Sequence, residues 1–488
     1  MTEYLGWKNS LGRNLTMMTD FYELTMMQGY LRHGLADNVG VFDMFFRSRS
    51  DGQIMYAVMA GVEQLCEYIE NLHFDEEDVA YLRSQNVFDE EFLKRLSDFE
   101  FTGEIYAVPE GTPVFPGEPI VRVRAPLFQA QLIETALLNI INHQTLIATK
   151  ASRVVYAAKG GAVMEFGLRR AQGPDAGNYG ARAAMIGGCV ATSNVLTGQM
   201  FDVPIAGTHA HSWVMSFPDE LTAFRAYADS FPNACLLLVD TYDTLNSGVP
   251  NAITVFREMR AKGIEPKGIR LDSGDLAYLS IQARKMLDDA GFPDTIICAS
   301  SDLDEYVISD LLMQGAKIDT WGVGTRMITG DGCPALGGVY KLAAEYVGDT
   351  VVPKIKKSEN PIKVTNPGFK KIFRIFDNET GRALADLIAL EDETIDETQP
   401  LEIFDPMNTW KRKTITNFHV RELLVPLFKD GKRVYELPTL REICAYSQKE
   451  LSAFWDTYRR LNNPHVYKVD LSQKLYDLKQ DLLHRAGR

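Results

Sequence analysis

From residue 160 onward, short apolar runs alternate with longer stretches of helical periodicity. The runs span 162–166, 203–206, 235–239, 268–271, 295–299 and 319–323. Largely apolar runs separated by helices predict parallel strands buried on both faces. Six such units predict a β/α barrel or a doubly wound sheet. The barrel is preferred because polar groups follow the end of every run, and the C-terminal ends of barrel strands converge on one mouth.

The rest of the chain has a different rhythm. Thr19 or Asp20 can cap a helix that carries Glu23 on its first turn. Residues 41–47 read as a strand, 62–98 as helical, and 105–108, 111–114 and 119–123 as short strands between Pro/Gly turns. A long helix, continuous or broken, is expected over 129–158. Past 345 the chain turns basic. Strands are then expected at 369–376 and within 380–395, and residues 437–488 read as a helical, solvated outer layer. The expected division is 1–158, an α/β domain with a long linking helix; 159–345, the barrel carrying the site; and 346–488, return strands and a helical layer.

Composition narrows the function. The 488 residues include 51 basic and 65 acidic side chains, a net charge of −14. That balance opposes a general nucleic-acid surface, which needs a basic field. It leaves room for a local basic pocket. The six cysteines are far apart in sequence and form no zinc-type or redox pair, so they read as buried thiols in a reducing compartment. The N-terminus has no apolar signal core, and no apolar run approaches the ~20 residues that span a bilayer. The expectation is a cytoplasmic protein with no membrane and no nucleic-acid partner.

The run ends carry the candidate chemistry. Arg169 and Arg170 follow the first run, and His209 and His211 the second. Asp240, Thr241 and Asp243 follow the third; Arg270 lies in the fourth, which leads to Asp272, Ser273 and Asp275. Ser300, Ser301 and Asp302 follow the fifth, and the sixth leads into Gly322-Val323-Gly324-Thr325-Arg326. Glycine lets a phosphate approach backbone N–H groups, and each arginine offers a planar fork to phosphate or carboxylate. Together they suggest a substrate with several anionic groups. Asp240 and Asp272 can bind ribose hydroxyls or hold a hydrated Mg2+ that escorts a polyphosphate; Asp243 and Asp275 can do the same or simply cap helices. His211 can carry a proton, act as a ligand or attack a phosphate. This set fits phosphoryl or glycosyl transfer better than redox chemistry. No Walker-type loop is present at a run end.

Five stretches in combination resemble nicotinate phosphoribosyltransferase, a type II phosphoribosyltransferase family. They are Thr19-Asp20-Phe21-Tyr22, Glu165-Phe166-Gly167-Leu168-Arg169-Arg170-Ala171-Gln172-Gly173-Pro174-Asp175, Gly207-Thr208-His209-Ala210-His211-Ser212, Arg270-Leu271-Asp272-Ser273-Gly274-Asp275 and Gly322-Val323-Gly324-Thr325. The resemblance runs from near residue 15 to the C-terminal helices. It implies an irregular β/α barrel with an added α/β domain built from N- and C-terminal segments. It implies that nicotinate and phosphoribosyl pyrophosphate give nicotinate mononucleotide and pyrophosphate, coupled to ATP hydrolysis with Mg2+, as the first step of NAD salvage from nicotinate.

The resemblance also implies residue roles and a homodimer whose sites are shared. Tyr22 and Phe166 would sandwich the pyridine ring, with Tyr22 reaching the neighbouring subunit's site. Thr208 would lie at the nicotinate, and His211 would be phosphorylated by ATP, with His209 only its neighbour. Arg270 would bind substrate, Gly324 and Thr325 would hold the phosphate of the ribose donor, and Arg169 and Arg170 would clamp anions. Asp240 or Asp272 could stabilise positive charge on the ribose as pyrophosphate leaves. The competing readings are a nicotinamide or quinolinate phosphoribosyltransferase, and a non-catalytic phosphosugar-binding barrel.

Overall fold

The structure, a computed structural model, describes residues 14–47, 55–360 and 363–485. The chain forms two compact units, one of residues 1–146 with 335–488 and one of residues 147–334.

In the first unit, helix α1 (Phe21–Arg32) precedes strand β1 (Val39–Phe46). β1 is the third strand of a seven-stranded sheet, between Gly338–Val347 and Val121–Pro126. A four-stranded sheet is built on Lys370–Asp377 and Ala383–Leu390, with Val469–Leu471 parallel on one edge. Asp20 occupies the N-cap position of α1 but makes no capping bond. Its carboxylate instead accepts the Thr135 hydroxyl at 2.9 Å. Glu23, on the first turn as expected, is fully buried and accepts the Thr135 N–H at 3.0 Å. The last segment is also more than a solvated layer: Leu471 and Leu475 are buried against Ile388.

Helix α2 (Glu134–Ala157) leads into the second unit. There strands β2 (Ala162–Glu165), β3 (Ala191–Thr192), β4 (Leu236–Leu238), β5 (Gly268–Leu271), β6 (Ile296–Ala299) and β7 (Thr320–Val323) form one sheet. Their order is β3-β2-β7-β6-β5-β4, and every neighbouring pair is parallel. Helices α3 (Pro174–Ile186), α4 (Val195–Phe201), α5 (His211–Met215), α6 (Glu220–Ser230), α7 (Val249–Ala261), α8 (Leu276–Asp289), α9 (Glu305–Met313) and α10 (Thr325–Ile328) fall between or after the strands. The strands are apolar because both faces are covered: Val163, Leu237, Ile269, Ile297, Trp321 and Val323 are all buried. Register aligns their C-terminal ends, pairing Glu165 with Val323, Leu271 with Ala299, and Arg270 with Leu238.

Two expectations need correction. Residues 203–206 form no strand; Ile205 alone makes a single bridge, to Thr192. Pro204 has no N–H to donate, which stops the ladder there. The partner is the two-residue strand β3, too short to show in the hydrophobic pattern. The sheet is also not a closed barrel: among the described residues, no ladder joins β4 to β3. One side chain crosses part of that gap. Just past Ile205, His209 Nε2 accepts the N–H of Leu238 on β4 at 3.2 Å.

Candidate active site

A recess of about 510 Å3 opens at the aligned strand ends of the second unit. Phe166, Arg169, Arg170, Thr208, Arg270 and Asp272 help to line it, as do Gly324 and Thr325. Eight of the eleven residues given site roles in the resemblance thus meet here.

The turn after β2 is built by a carboxylate that sequence reasoning did not single out. Glu165 is fully buried, and burial raises its pKa even though hydrogen bonds oppose the shift. It accepts the Thr192 hydroxyl at 2.6 Å and the N–H of Gly167. A buried carboxylate with two donors fixes a turn firmly. Beyond it, Phe166 N–H bonds to Val323 O at 2.8 Å. The Phe166 ring lies over Gly322, where an added Cβ would fall 2.6 Å from the ring edge. Glycine at 322 therefore creates the space for the ring. Leu168–Arg170 form a single 3-10 turn that leaves both arginines exposed, and no ion pair engages either among the described residues.

Arg270 is the hub of the recess. Its Nε donates to Ser300 Oγ at 2.9 Å, Nη1 to Thr208 Oγ1 at 2.8 Å, and Nη2 to Asp272 Oδ1 at 2.8 Å. Three of the five guanidinium N–H groups are thus held by protein, leaving two for a ligand. Burial works to raise the Asp272 carboxyl, but the Ser300 hydroxyl and Arg270 outweigh it and hold the group below its ordinary value. Ser301, beside Ser300, takes a φ of 97°, a conformation that serine rarely adopts.

His211, Asp240 and Tyr22 do not line the recess. His211 begins α5, with Nδ1 3.1 Å from Thr241 Oγ1 and Nε2 3.8 Å from Asp272 Oδ2. It therefore reaches the recess through Asp272. Asp240 braces two strand ends: its Oδ2 accepts Asp272 N–H at 2.9 Å and Ser273 Oγ at 2.6 Å. Among the described residues, Asp240 Oδ1 is buried with no hydrogen-bond partner. His209 is buried beside Tyr227, with ring centroids 4.6 Å apart. Burial pushes its pKa down to about 4, so it stays neutral and holds the loop to β4. Tyr22 lies on α1, 46% exposed. Partial burial and Glu134 both push its hydroxyl pKa up.

Asp243 and Asp275 resolve as helix caps, accepting Asn246 N–H at 2.9 Å and Tyr278 N–H at 3.1 Å. Among the described residues, no group of three or more His, Cys, Asp or Glu could hold a metal ion by itself. A Mg2+ that keeps its waters and binds substrate phosphates needs only one or two carboxylates. The unpartnered Asp240 Oδ1 and neighbouring Asp272 suit that mode. Among the described residues, no helix is long and apolar enough to cross a membrane.

Residues 17–142 match the nicotinate phosphoribosyltransferase (NAPRTase) N-terminal domain, 162–330 the nicotinate phosphoribosyltransferase (NAPRTase) family and 369–479 the nicotinate phosphoribosyltransferase C-terminal domain. The nicotinate phosphoribosyltransferase of Bacillus subtilis (strain 168) is 48% identical over 486 residues, covering 100% of this chain and 98% of that protein. The Caenorhabditis elegans nicotinate phosphoribosyltransferase is 36% identical over 531 residues, covering 96% and 93%. The crystal structure of human nicotinic acid phosphoribosyltransferase superposes with a TM-score of 0.82 at 31% identity, covering 95% of this chain and 99% of that one.

Proposed function

Because the chain belongs to the nicotinate phosphoribosyltransferase family, we propose the following division of labour for its transfer of a phosphoribosyl group to nicotinate. The pyridine ring lies on Phe166. Its carboxylate meets Thr208 and the two N–H groups that Arg270 leaves open. Arg169, Arg170 and the Gly324-Thr325 turn hold the phosphates of phosphoribosyl pyrophosphate. As pyrophosphate leaves, positive charge builds on the ribose. Asp272, held ionised by Ser300 and Arg270, is suited to stabilise it, with Asp240 fixing its backbone. Mg2+, when bound at Asp240 and Asp272, would neutralise charge on the departing pyrophosphate.

The same reading covers energy coupling. A ring nitrogen of His211 takes the γ-phosphoryl group of ATP, releasing ADP, and water later cleaves the phosphohistidine to phosphate. Thr241 orients the ring, and Asp272 links it to the transfer site. Tyr22, exposed on α1, completes the ring sandwich in a neighbouring subunit of a homodimer. A cytoplasmic location fits a set of mostly buried cysteine side chains that are not paired in disulfides among the described residues.

The observation that carries this reading is Arg270, bound at once to Thr208, Asp272 and Ser300 beside Phe166 and two exposed arginines. The test is to incubate the protein with phosphoribosyl pyrophosphate, Mg2+ and nicotinate, nicotinamide or quinolinate, with and without ATP. The expected result is mononucleotide from nicotinate, faster with ATP. Preference for nicotinamide would overturn the assignment of the ring carboxylate to Arg270, and preference for quinolinate would overturn nicotinate as the substrate. Binding of the sugar phosphate with no release of pyrophosphate would point to a binding protein.

A further inference from the structure

A second recess, of about 190 Å3, lies in the unit formed by residues 1–146 and 335–488. Its lining includes Asp43, Arg47, Asn366, Lys370 and Lys479, none of which belongs to the strand-end recess. Asp43 comes from β1, Lys370 from the start of strand Lys370–Asp377, and Lys479 from helix Gln473–Arg485. Lys370 is buried, with Nζ 2.7 Å from Asp43 Oδ2, and donates to Gly368 O at 2.7 Å. Asn366 gathers both ammonium groups: Lys370 Nζ donates to its backbone oxygen at 2.8 Å and Lys479 Nζ to its Oδ1 at 2.8 Å. Arg122, close by, is taken up by Lys370 O and Glu391.

Among the described lining residues, three cations face one carboxylate, an excess of two positive charges. Two polar atoms of this lining are buried without a hydrogen-bond partner among the described residues, Arg47 Nε and Asp43 Oδ1. Buried donors and charges are costly unless something pairs with them. The lysines register that cost. Burial and neighbouring Lys370 lower the Lys479 pKa, and burial lowers that of Lys370 despite Asp43.

We propose that this recess is a second anion site, taking a phosphate-class dianion held by Arg47 and Lys479, with Lys370, whose three N–H groups are already bonded, adding only its charge. A phosphate monoester carries nearly two negative charges at neutral pH and several acceptor oxygens, which matches both the charge excess and the idle Arg47 donor. An adjoining recess of about 260 Å3 shares Pro116, Gly117, Asn366 and Lys479 and adds Leu471 and Tyr476, leaving room for the apolar remainder of an ester. Occupancy neutralises the buried charge and stabilises this unit by mass action.

Inorganic phosphate is the probe, titrated calorimetrically into the full chain. Arg169→Ala with Arg170→Ala weakens phosphate binding at the strand ends and isolates the second site. The expected result is one phosphate per chain in that double variant. Adding Lys479→Gln, whose amide can still meet Asn366, weakens the remaining binding at least about tenfold, or about 1.4 kcal/mol. Arg47→Gln does the same from a separate element and serves if the Lys479 variant fails to fold. No phosphate bound by the double variant, or binding unmoved by a folded Lys479 or Arg47 variant, overturns the proposal.

Discussion

At the scale of single residues, the site depends on what its neighbours leave open. Phe166 can lie where it does because residue 322 has no side chain. Gly322→Val should displace the ring and raise the KM for nicotinate about tenfold, equivalent to about 1.4 kcal/mol, with kcat changing much less. Steady-state kinetics on a variant of wild-type thermal stability checks this; an unchanged KM would remove Phe166 from the ring site. The strand-end candidates were legible because they stood at the end of an apolar run or just past it; Tyr22, on the first helix, was legible through the resemblance alone. Their roles were less so. Sequence places His209 and His211 two residues apart, but only the fold shows that His209 Nε2 is spent on Leu238 while His211 faces Thr241 and Asp272. Glu165 was illegible as a turn-former, because no pattern along the chain shows that a carboxylate points inward onto Gly167 and Thr192.

At the scale of elements, the parallel strands were readable from their apolar content, and their register then aligned the polar ends. What failed was closure. Residues 203–206 look like a strand, but Pro204 and a two-residue partner reduce the pairing to one bridge. His209 then ties the following loop to β4, which makes that connection sensitive to pH. Its folded pKa, about 4, lies below the ordinary 6.5, so its contribution is present above about pH 6.5 and lost as pH falls toward 4. The loss should reach roughly 3 kcal/mol. His209→Gln should flatten that part of the stability curve relative to wild type in denaturant melts across this range. Parallel curves would show that His209 titrates as an ordinary exposed histidine.

At the scale of the whole molecule, the first and last parts of the chain fold together, and residues 147–334 form their own unit. Sequence order separates the strands of the first unit by more than two hundred residues, as between Met44 and Tyr340, so local pattern could not show that they share a sheet. Tyr22 belongs to that unit and Arg270 to the other. If sites are shared across a homodimer, Tyr22→Ala and Arg270→Ala each inactivate by damaging different halves of one site. Mixed after reversible dissociation, the two variants should recover about a quarter of wild-type activity, because half the dimers carry one intact site. No recovery in a mixture shown to contain heterodimers would place Tyr22 and Arg270 in the same subunit's site.

Coupling through His211 joins these scales, since one imidazole would connect ATP hydrolysis to the transfer recess. The most direct measurement is the rate of nicotinate mononucleotide formation by wild type and His211→Ala, each with and without ATP. The expected result is ATP stimulation of the wild type, and in the variant an ATP-independent rate that ATP no longer raises. Equal loss of both rates, or stimulation that survives the substitution, would contradict it.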